Sequence, residues 1–363
     1  MMLARPPRRR RADGAATGDA APQDGESCDS CARRPRLALL LWILWLAVAI
    51  LAGVFFGHGA SAQTRRYEPL TVEVRPQRLT PRVYFVQGEP GMVSTSNNGF
   101  NANAGFVVTD DGVVVFDALG TPSLGAELLR IIRTTTSQPV RRVIVSHYHS
   151  DHFYGLPAFR EAGAQIWAHR LVRDYLATDA PRLRLEERRR SLAPWVDETS
   201  GLVDPDLNLD GDAAFRMGGL TFRILTVGPA HTPEDLMLLV EEEGVLFAGD
   251  LMFAGRVPFV GDADSKGWLA SIERLIRLDP KILVGGHGPA STDAARDLAL
   301  TRDYLLYLRA EMGRAVEDMA SFEEAYQRTD WSRFAHLPAF GAANRINAYN
   351  TFILMETEAL SRR

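Results

Sequence analysis

The hexad His147-Tyr148-His149-Ser150-Asp151-His152 places four potential metal ligands directly after the apolar run Val143–Val145. The apolar run predicts a buried strand that ends where the polar side chains begin. Three imidazoles and a carboxylate are costly to hold together without a cation, because protonated imidazoles repel one another. Three of the chain's eight histidines lie in this hexad, which argues against a chance cluster. The hexad therefore predicts a site for a divalent metal such as zinc.

Three more potential ligands, His231, Asp250 and His287, each follow an apolar run that is short enough to be a strand. Side chains at several strand ends are expected to meet, so these three and the hexad predict one shared site. Glycines beside them would let the backbone turn sharply and approach the metal closely. These glycines are Gly249, Gly285, Gly286 and Gly288.

Taken in order, the His-x-His-x-Asp-His hexad, a later His, a Gly-Asp pair and a Gly-His pair resemble the metallo-β-lactamase superfamily, over about Val72 to Ala295. The resemblance implies an α/β fold, the four-layer αβ/βα sandwich, with an added C-terminal helical tail. It also implies two zinc sites. The first would consist of His147, His149 and His231 and the second of Asp151, His152 and His287, with Asp250 bridging both.

The resemblance implies a hydrolase in which a hydroxide bridging two zinc ions attacks an acyl carbon. The first zinc would polarise the carbonyl oxygen, and the second would hold the leaving atom. Asp250 would fix the separation of the metals, and Asp151 would orient the hydroxide or pass a proton onward, so these two are the predicted catalytic residues. The expected substrate is a small ester, thioester or amide.

Several alternatives remain open within the same fold. The pattern looks most like the glyoxalase II and SoxH-like branch, which includes the quinoprotein relay system zinc metallohydrolases. A β-lactamase is the first alternative, although an acidic bridge at Asp250 differs from the superfamily's Cys-ligand and three-His types. The second is a mononuclear iron persulfide dioxygenase, so iron is the alternative metal. A binding protein with an inactive site would not be expected to keep all seven ligand positions.

Other nucleophilic hydrolase chemistry is excluded by composition. Both cysteines, Cys28 and Cys31, precede the apolar run Leu37–Phe56, so residues 63–363 contain no thiol for catalysis, a disulfide or a metal. The chain also contains no Gly-x-Ser-x-Gly motif.

The beginning of the chain predicts export. Residues 1–36 are expected to form a disordered leader, and the arginine-flanked run Leu37–Phe56 is long enough for a membrane anchor. Ala60-Ser61-Ala62 matches a signal-peptide cleavage site, which favours cleavage over anchoring. Both interpretations place the catalytic part outside the cytoplasm, in the periplasm or secreted, and a membrane partner enters only through an uncleaved Leu37–Phe56.

The charge of the remaining chain excludes one class of substrate. Eight of the 41 Lys and Arg residues and five of the 45 Asp and Glu residues lie in the first 62 positions, which leaves a net charge of about −7 for residues 63–363. Enzymes that act on nucleic acid are expected to show a basic face. We therefore expect a small-molecule substrate and no nucleic-acid partner. The oligomeric state stays open.

Alternating strand and helix patterns support an α/β catalytic domain over residues 63–295. The strand-like segments are Val83–Gln87, Gly105–Thr109, Val113–Asp117, Ile166–Ala168, Phe215–Val227, Met237–Glu241, Val245–Ala248 and Ile282–Val284. Helical spacing predicts helices over Leu124–Arg133, Leu156–Ala162, Arg170–Leu176 and Ser265–Leu278. Residues 296–363 form the predicted helical extension, with amphipathic helices over Thr292–Val316 and Asn347–Leu360.

Two segments interrupt this regular pattern. Gly88–Asn103 is rich in Gly, Asn and Ser, and the resemblance implies a flap near the metal. In such a flap Met92 and Phe100 would contact a ligand. The alternative is a solvent-exposed loop in which Phe100 folds back onto the protein. Asp179–Asp212 predicts an inserted helix and loop whose arginines, or Trp195, either face solvent or form part of the substrate wall. His169, which has no partner motif, is expected to be structural or to lie behind the metal ligands.

Overall fold

The computed structural model describes residues 67–261 and 263–361. The predicted leader and the predicted signal peptide or anchor lie outside these residues. In the described chain, the first sheet has seven strands in sequential order: β1 (Pro76–Arg78), β2 (Val83–Val86), β3 (Ala104–Thr109), β4 (Gly112–Phe116), β5 (Val140–Ile144), β6 (Gln165–His169) and β7 (Leu207–Leu209). Strands β1 to β4 are antiparallel, and β4 to β7 are parallel.

The second sheet, counted over the same described residues, has five strands: β8 (Ala213–Met217), β9 (Leu220–Thr226), β10 (Leu236–Val240), β11 (Val245–Phe253) and β12 (Ile282–His287). They lie in the order β12-β11-β10-β9-β8. Only the β11–β12 pair is parallel. As a result, β11 and β12 end at the same edge, as do β4, β5 and β6 in the first sheet.

Helices follow most of the parallel strands. They are α1 (Pro122–Thr135), α2 (Ser150–Phe153), α3 (Leu156–Glu161), α4 (Leu171–Leu176), α5 (Ala180–Ser191), α6 (Ser265–Arg277), α7 (Ala294–Glu317), α8 (Phe322–Arg328) and α9 (Phe340–Ser361). Side chains cap three of the longer helices: Thr121 accepts from the backbone of α1, Asp264 does so at the start of α6, and Asp293 at the start of α7. No helix in residues 67–261 and 263–361 is long and apolar enough to cross a bilayer.

The core lies in three apolar layers. The layer between the sheets includes Phe116 and Phe247, whose rings stack with centroids 5.5 Å apart. Gly105 permits this close packing, because a Cβ there would lie 2.1 Å from the Phe247 ring. The other layers pack α1 and α3 on the first sheet and α6 and α7 on the second. The predicted αβ/βα sandwich with added C-terminal helices is therefore confirmed.

Four element predictions differ from the structure in detail. Strand β11 continues past the predicted Val245–Ala248 to Phe253. The segment Phe215–Val227 forms two strands, because Gly218 and Gly219 adopt positive φ angles of 51° and 83° and turn the chain between β8 and β9. The insert Asp179–Asp212 contains the short strand β7 after its predicted helix. The last helix begins at Phe340, seven residues before the predicted start.

The C-terminal helices pack against the sandwich. The predicted boundary after residue 295 falls within the first turn of α7, which contacts α6 and β11, while α9 packs along α7. Asn347 of α9 accepts from the backbone N–H of Val260 and donates to the carbonyl of Pro258, and Asn350 donates to the carbonyl of Gly261. The tail thus holds the loop that follows β11.

Candidate metal centre

The seven predicted ligands lie at or just after strand ends, except that β11 continues through Asp250 to Phe253 rather than ending before it. His147 and His149 lie in the turn after β5, and His231 lies in the loop between β9 and β10. The remaining four are Asp151 and His152 in α2, Asp250 within β11 and His287 at the end of β12. The two halves are joined here by backbone hydrogen bonds, from Leu236 N to Ser146 O and from Asn103 N to Gly286 O.

The side chains form two adjoining groups, His147–His149–His231–Asp250 and Asp151–His152–His287, with ligand atoms within 4.8 Å of one another in each group. Asp250 faces both groups. Its Oδ2 lies 3.2 Å from His231 Nε2 and 3.8 Å from His147 Nε2. Its Oδ1 lies 3.1 Å from His152 Nε2 and 3.3 Å from His287 Nε2. The structure therefore assembles the predicted ligand set with Asp250 between the two groups.

Unsatisfied atoms test whether this cluster suits a cation. His147 Nε2, His152 Nε2 and Asp250 Oδ1 are buried and make no hydrogen bond of acceptable geometry within the described residues. Buried polar atoms without partners destabilise a fold, so they indicate a missing partner. Imidazole nitrogens and carboxylate oxygens are the ligands that zinc and other divalent transition metals prefer. The residues therefore fit a divalent metal.

The electrostatics of His147, His149 and Asp250 support the same conclusion. Burial lowers the pKa of His147 well below its usual value, and it lowers the pKa of His149 to about 3, with a further contribution from His231. Burial opposes ionisation of Asp250, but the neighbouring His287 and His152 hold its pKa well below the usual range. A neutral imidazole and an ionised carboxylate are the forms that bind metals. Against the effect of burial, Asp250 raises the pKa of His152 and of His231 in the metal-free cluster, so a metal would have to displace their protons.

Partners behind the ligands fix their orientation. Asp117 Oδ2 accepts from His152 Nδ1 at 2.9 Å and from Ser146 Oγ at 2.8 Å, and Oδ1 accepts from Ser146 N at 2.7 Å. Asn101 Nδ2 donates to Asp151 Oδ2 at 3.0 Å. Such partners select the ligating tautomer and ring orientation. The sequence interpretation missed both residues, although Asp117 ends the predicted strand Val113–Asp117.

One glycine is sterically required here. A Cβ on Gly286 would lie 1.9 Å from Asp250 Oδ1. The predicted close approach of backbone to the metal ligands therefore occurs at this position. His169, in contrast, lies at the end of β6 outside both ligand groups, where its Nδ1 accepts from Leu171 N.

A cavity of about 330 Å³ opens onto the cluster. Aromatic side chains form much of its wall, and charged side chains lie among them. The aromatic residues are Tyr148, Tyr175, Phe253 and Phe259, and the arginines are Arg184, Arg188 and Arg256. A wider groove of about 650 Å³ adjoins it past Tyr175 and Phe259. The cavity is large enough for a small molecule.

The flap and the insert both reach this cavity, though not with every predicted residue. Met92 lines the cavity, whereas Phe100 is buried in the core. Arg184 and Arg188 line it from α5, whereas Trp195 lies elsewhere and donates to the carbonyl of Pro69. Arg256, which no sequence motif indicated, lines the cavity from the loop after β11.

Comparisons with known proteins agree with this geometry. The sequence model of the family described as "Metallo-beta-lactamase superfamily" matches residues 97–287. The chain is similar to "Metallo-beta-lactamase type 2" of Elizabethkingia meningoseptica, with 25% identity over 257 residues that cover 68% of this chain and 87% of the relative. It is also similar to "Atrochrysone carboxyl ACP thioesterase" of Claviceps purpurea (strain 20.1), with 28% identity over 220 residues, 60% of this chain and 59% of the relative.

Solved structures share the fold. "Metallo-beta-lactamase from Pontibacter korlensis" superposes with a TM-score of 0.51 and 22% sequence identity, over 64% of this chain and 99% of that one.

Proposed function

Because the chain belongs to the metallo-beta-lactamase superfamily and is a metal-dependent hydrolase, we propose that it cleaves a small ester, thioester or amide with two zinc ions. One observation carries the proposal. The seven side chains divide into two adjoining groups, and Asp250 presents a different carboxylate oxygen to each. His147, His149 and His231 would hold one ion, and Asp151, His152 and His287 the other.

A bound pair of zinc ions supplies Lewis acidity toward a carbonyl oxygen and lowers the pKa of a coordinated water. The chain's own residues hold the reaction geometry. Asp117 keeps the proton of His152 on Nδ1, and Asn101 fixes Asp151 Oδ2 through its amide. Asp151 is also available to accept a proton from the reacting centre, since it lines the cavity. Tyr148 and Phe259 reduce the access of water to the acyl group.

Relatives support different members of this substrate class. The thioesterase of Claviceps purpurea supports a thioester, and the type 2 metallo-beta-lactamase of Elizabethkingia meningoseptica supports β-lactams as the second candidate. We also propose that the catalytic part is exported. The apolar run Leu37–Phe56 after a cluster of arginines, followed by Ala60-Ser61-Ala62, supports this localisation.

Metal content of the purified protein tests the proposal, measured by plasma emission spectrometry beside hydrolysis of a thioester, an ester and a chromogenic cephalosporin. We expect about two zinc ions per chain in the native protein and one in His287→Ala, because this substitution removes a ligand from one group only. His336→Ala, which replaces an exposed histidine, is the matched control.

The measurement separates the alternatives. Preferential turnover of the cephalosporin would favour the β-lactamase, and turnover of the thioester would favour the main proposal. One iron and no zinc per chain would contradict the dinuclear hydrolase, as would failure of the zinc-loaded protein on all three substrates.

A further inference from the structure

A groove of about 650 Å³ extends the metal cavity past Tyr175 and Phe259. Two of the metal-cluster residues, His149 and His231, also line it, so a substrate that lies on the metals can extend into it. The proposed reaction at the metals does not use the rest of the groove. Its other lining residues therefore determine what the substrate carries beyond the scissile bond.

Glu234 contributes a buried carboxylate to this groove. The residue is only 7% exposed, and its Oε1 accepts from the backbone N–H of Tyr148 at a long distance of 3.4 Å. Within the described residues it forms no ion pair with a lysine or an arginine. Burial raises the pKa of Glu234, and the backbone N–H groups of Tyr148 and of Glu234 itself, together with the nearby His231, oppose this only in part. A cation that enters the groove would therefore stabilise the carboxylate.

The loop between β9 and β10 fixes the position of this carboxylate. On one side of Glu234, the backbone N–H and the hydroxyl of Thr232 each donate to the Asp235 carboxylate at 2.8 Å. On the other side, the backbone N–H of Leu236 donates to the carbonyl of Ser146 at 2.9 Å. Since the backbone is held on both sides of Glu234, the carboxylate is presented to the groove in a defined position.

A second carboxylate, that of Asp174 on α4, lines the same groove. Asp174 is exposed and forms no ion pair among the residues that the structure describes. Arg184 is the one lysine or arginine among the described lining residues, and it is exposed as well. Two carboxylates against one guanidinium leave one net negative charge on the lining outside the metal cluster. The groove therefore attracts a cation.

Aromatic rings lie among these charged groups. Tyr148, Tyr175 and Phe259 all line the groove. Burial raises the pKa of Tyr175, Arg184 lowers it, and the charge of Glu234 raises it, so both charges act at this ring. The faces of aromatic rings attract alkylated ammonium groups, whereas a hydrated metal ion makes little use of them. Together with a buried carboxylate, the rings favour an organic cation over an inorganic one.

We propose that the substrate carries an organic ammonium group away from its scissile bond, and that the groove binds this group with Glu234 as counter-ion and Asp174 in support. The proposal rests on the proposed hydrolase function and adds the substrate class. Tyr175 and Phe259 would contact the alkyl groups of the cation, since both rings lie where the groove meets the metal cavity. The charge of Glu234 would then select a cationic substrate over a neutral one of the same shape.

A matched pair of thioesters tests the proposal: acetylthiocholine, which carries a trimethylammonium group, and S-(3,3-dimethylbutyl) thioacetate, which has the same shape and is neutral. For the zinc-loaded native protein we expect a higher kcat/KM with acetylthiocholine, measured as release of the thiol. Glu234→Gln should lower the cationic-to-neutral ratio of kcat/KM by roughly 10- to 100-fold, because it removes the charge and keeps the side-chain volume. Glu234→Asp should restore part of the ratio.

Asp174→Asn and Glu356→Gln complete the design. Both carboxylates are exposed, but Asp174 lines the groove and Glu356 lies on α9 outside it. We expect a smaller decrease of the ratio in Asp174→Asn and the native ratio in Glu356→Gln. Because Asp174 is exposed, its substitution tests the proposal even when Glu234→Gln does not fold. Equal losses with both thioesters in Glu234→Gln, together with a native ratio in Asp174→Asn, would show that the carboxylates are structural and would overturn the proposal.

Calorimetric binding separates this proposal from the proposed hydrolase. Choline and neutral 3,3-dimethylbutan-1-ol are titrated into the zinc-loaded native protein, Glu234→Gln and Glu356→Gln. Tighter binding of choline that is lost in Glu234→Gln and kept in Glu356→Gln supports the ammonium site even when neither thioester is hydrolysed. Hydrolysis of both thioesters at similar rates, with choline binding unchanged by Glu234→Gln, would overturn the ammonium site and leave the hydrolase intact.

Discussion

Replacing Asp117 by asparagine would test whether a residue behind the ligands controls metal binding. Asp117 is buried and accepts three hydrogen bonds, two from Ser146 and one from His152 Nδ1. An amide has one oxygen, so the substituted side chain would present an NH₂ group either to His152 Nδ1–H or to the backbone N–H of Ser146. His152 can avoid the first clash only by moving its proton to Nε2, and this nitrogen is the one that faces Asp250.

The size of the effect follows from that geometry. A hydrogen bond between an ionised carboxylate and an imidazole is worth about 1.5–3 kcal/mol, and loss of such outer partners lowers metal affinity by about 10- to 100-fold. We expect this decrease for the metal held by Asp151, His152 and His287. We expect a much smaller change for the metal held by His147, His149 and His231, because Asp117 contacts that group only through Ser146.

Competition with a chromophoric chelator, followed as zinc is withdrawn, measures the two affinities separately. Asp206→Asn is the matched control, since Asp206 also accepts a backbone N–H, from Ile166, but lies outside the metal cluster. Two unchanged zinc affinities in Asp117→Asn, in a protein that unfolds at the native temperature, would refute the inferred role of Asp117.

Three other perturbations have defined outcomes. Gly286→Ala should abolish binding of at least one metal, because the new Cβ would meet Asp250 Oδ1. Gly201→Ala is the control and should bind the native amount of metal, because no atom lies within 4 Å of the new Cβ. Metal analysis of both proteins decides this. Asn347→Ala should lower the free energy of unfolding by about 2–4 kcal/mol, measured in urea, because it leaves backbone groups of Pro258 and Val260 without partners; the native urea midpoint would contradict this. In the metal-free protein, burial raises the pKa of Asp235 from 3.8 to about 7, so the folded state binds more protons than the unfolded state between these values. Its contribution to stability is therefore greatest below pH 4 and decreases by up to about 4 kcal/mol as the pH rises to 7. Asp235→Asn should reduce the dependence of the free energy of unfolding on pH, measured by urea denaturation. An unchanged pH dependence would assign it to other groups.

The metal ligands were predictable because a polar side chain seldom follows directly on a buried apolar run unless it has a role, although at Asp250 the strand itself continues to Phe253. Each of His147, His231, Asp250 and His287 comes at or near the end of such a run, and parallel strands bring their ends to one sheet edge. Asp117 obeys the same rule and was missed because no further polar residues accompany it. The packing of two sheets came from the family resemblance, and the strand order was not predicted, since short apolar runs do not specify their neighbours.

The cavity wall was much less predictable. Arg256 lies in an irregular loop with no periodic pattern, and its position depends on contacts with α9 that are distant in the sequence. Among the arginines of the insert, only those on the cavity side of α5 line the wall, and the helix orientation that selects them is set by packing of Leu185 and Pro181. Strand β7 has three residues, which is too short for an alternating pattern to be recognised.

The hydrogen bonds from α9 to the loop after β11 have a genetic consequence. A gene that is truncated after codon 340 would still encode all seven residues of the metal cluster, and an inspection of motifs would classify its product as intact. That product would lack Asn347 and Asn350, and with them the side chains that hold Pro258, Val260 and Gly261 in place. Nonsense and frameshift alleles near the 3′ end of the gene are therefore expected to lose function while every motif is preserved.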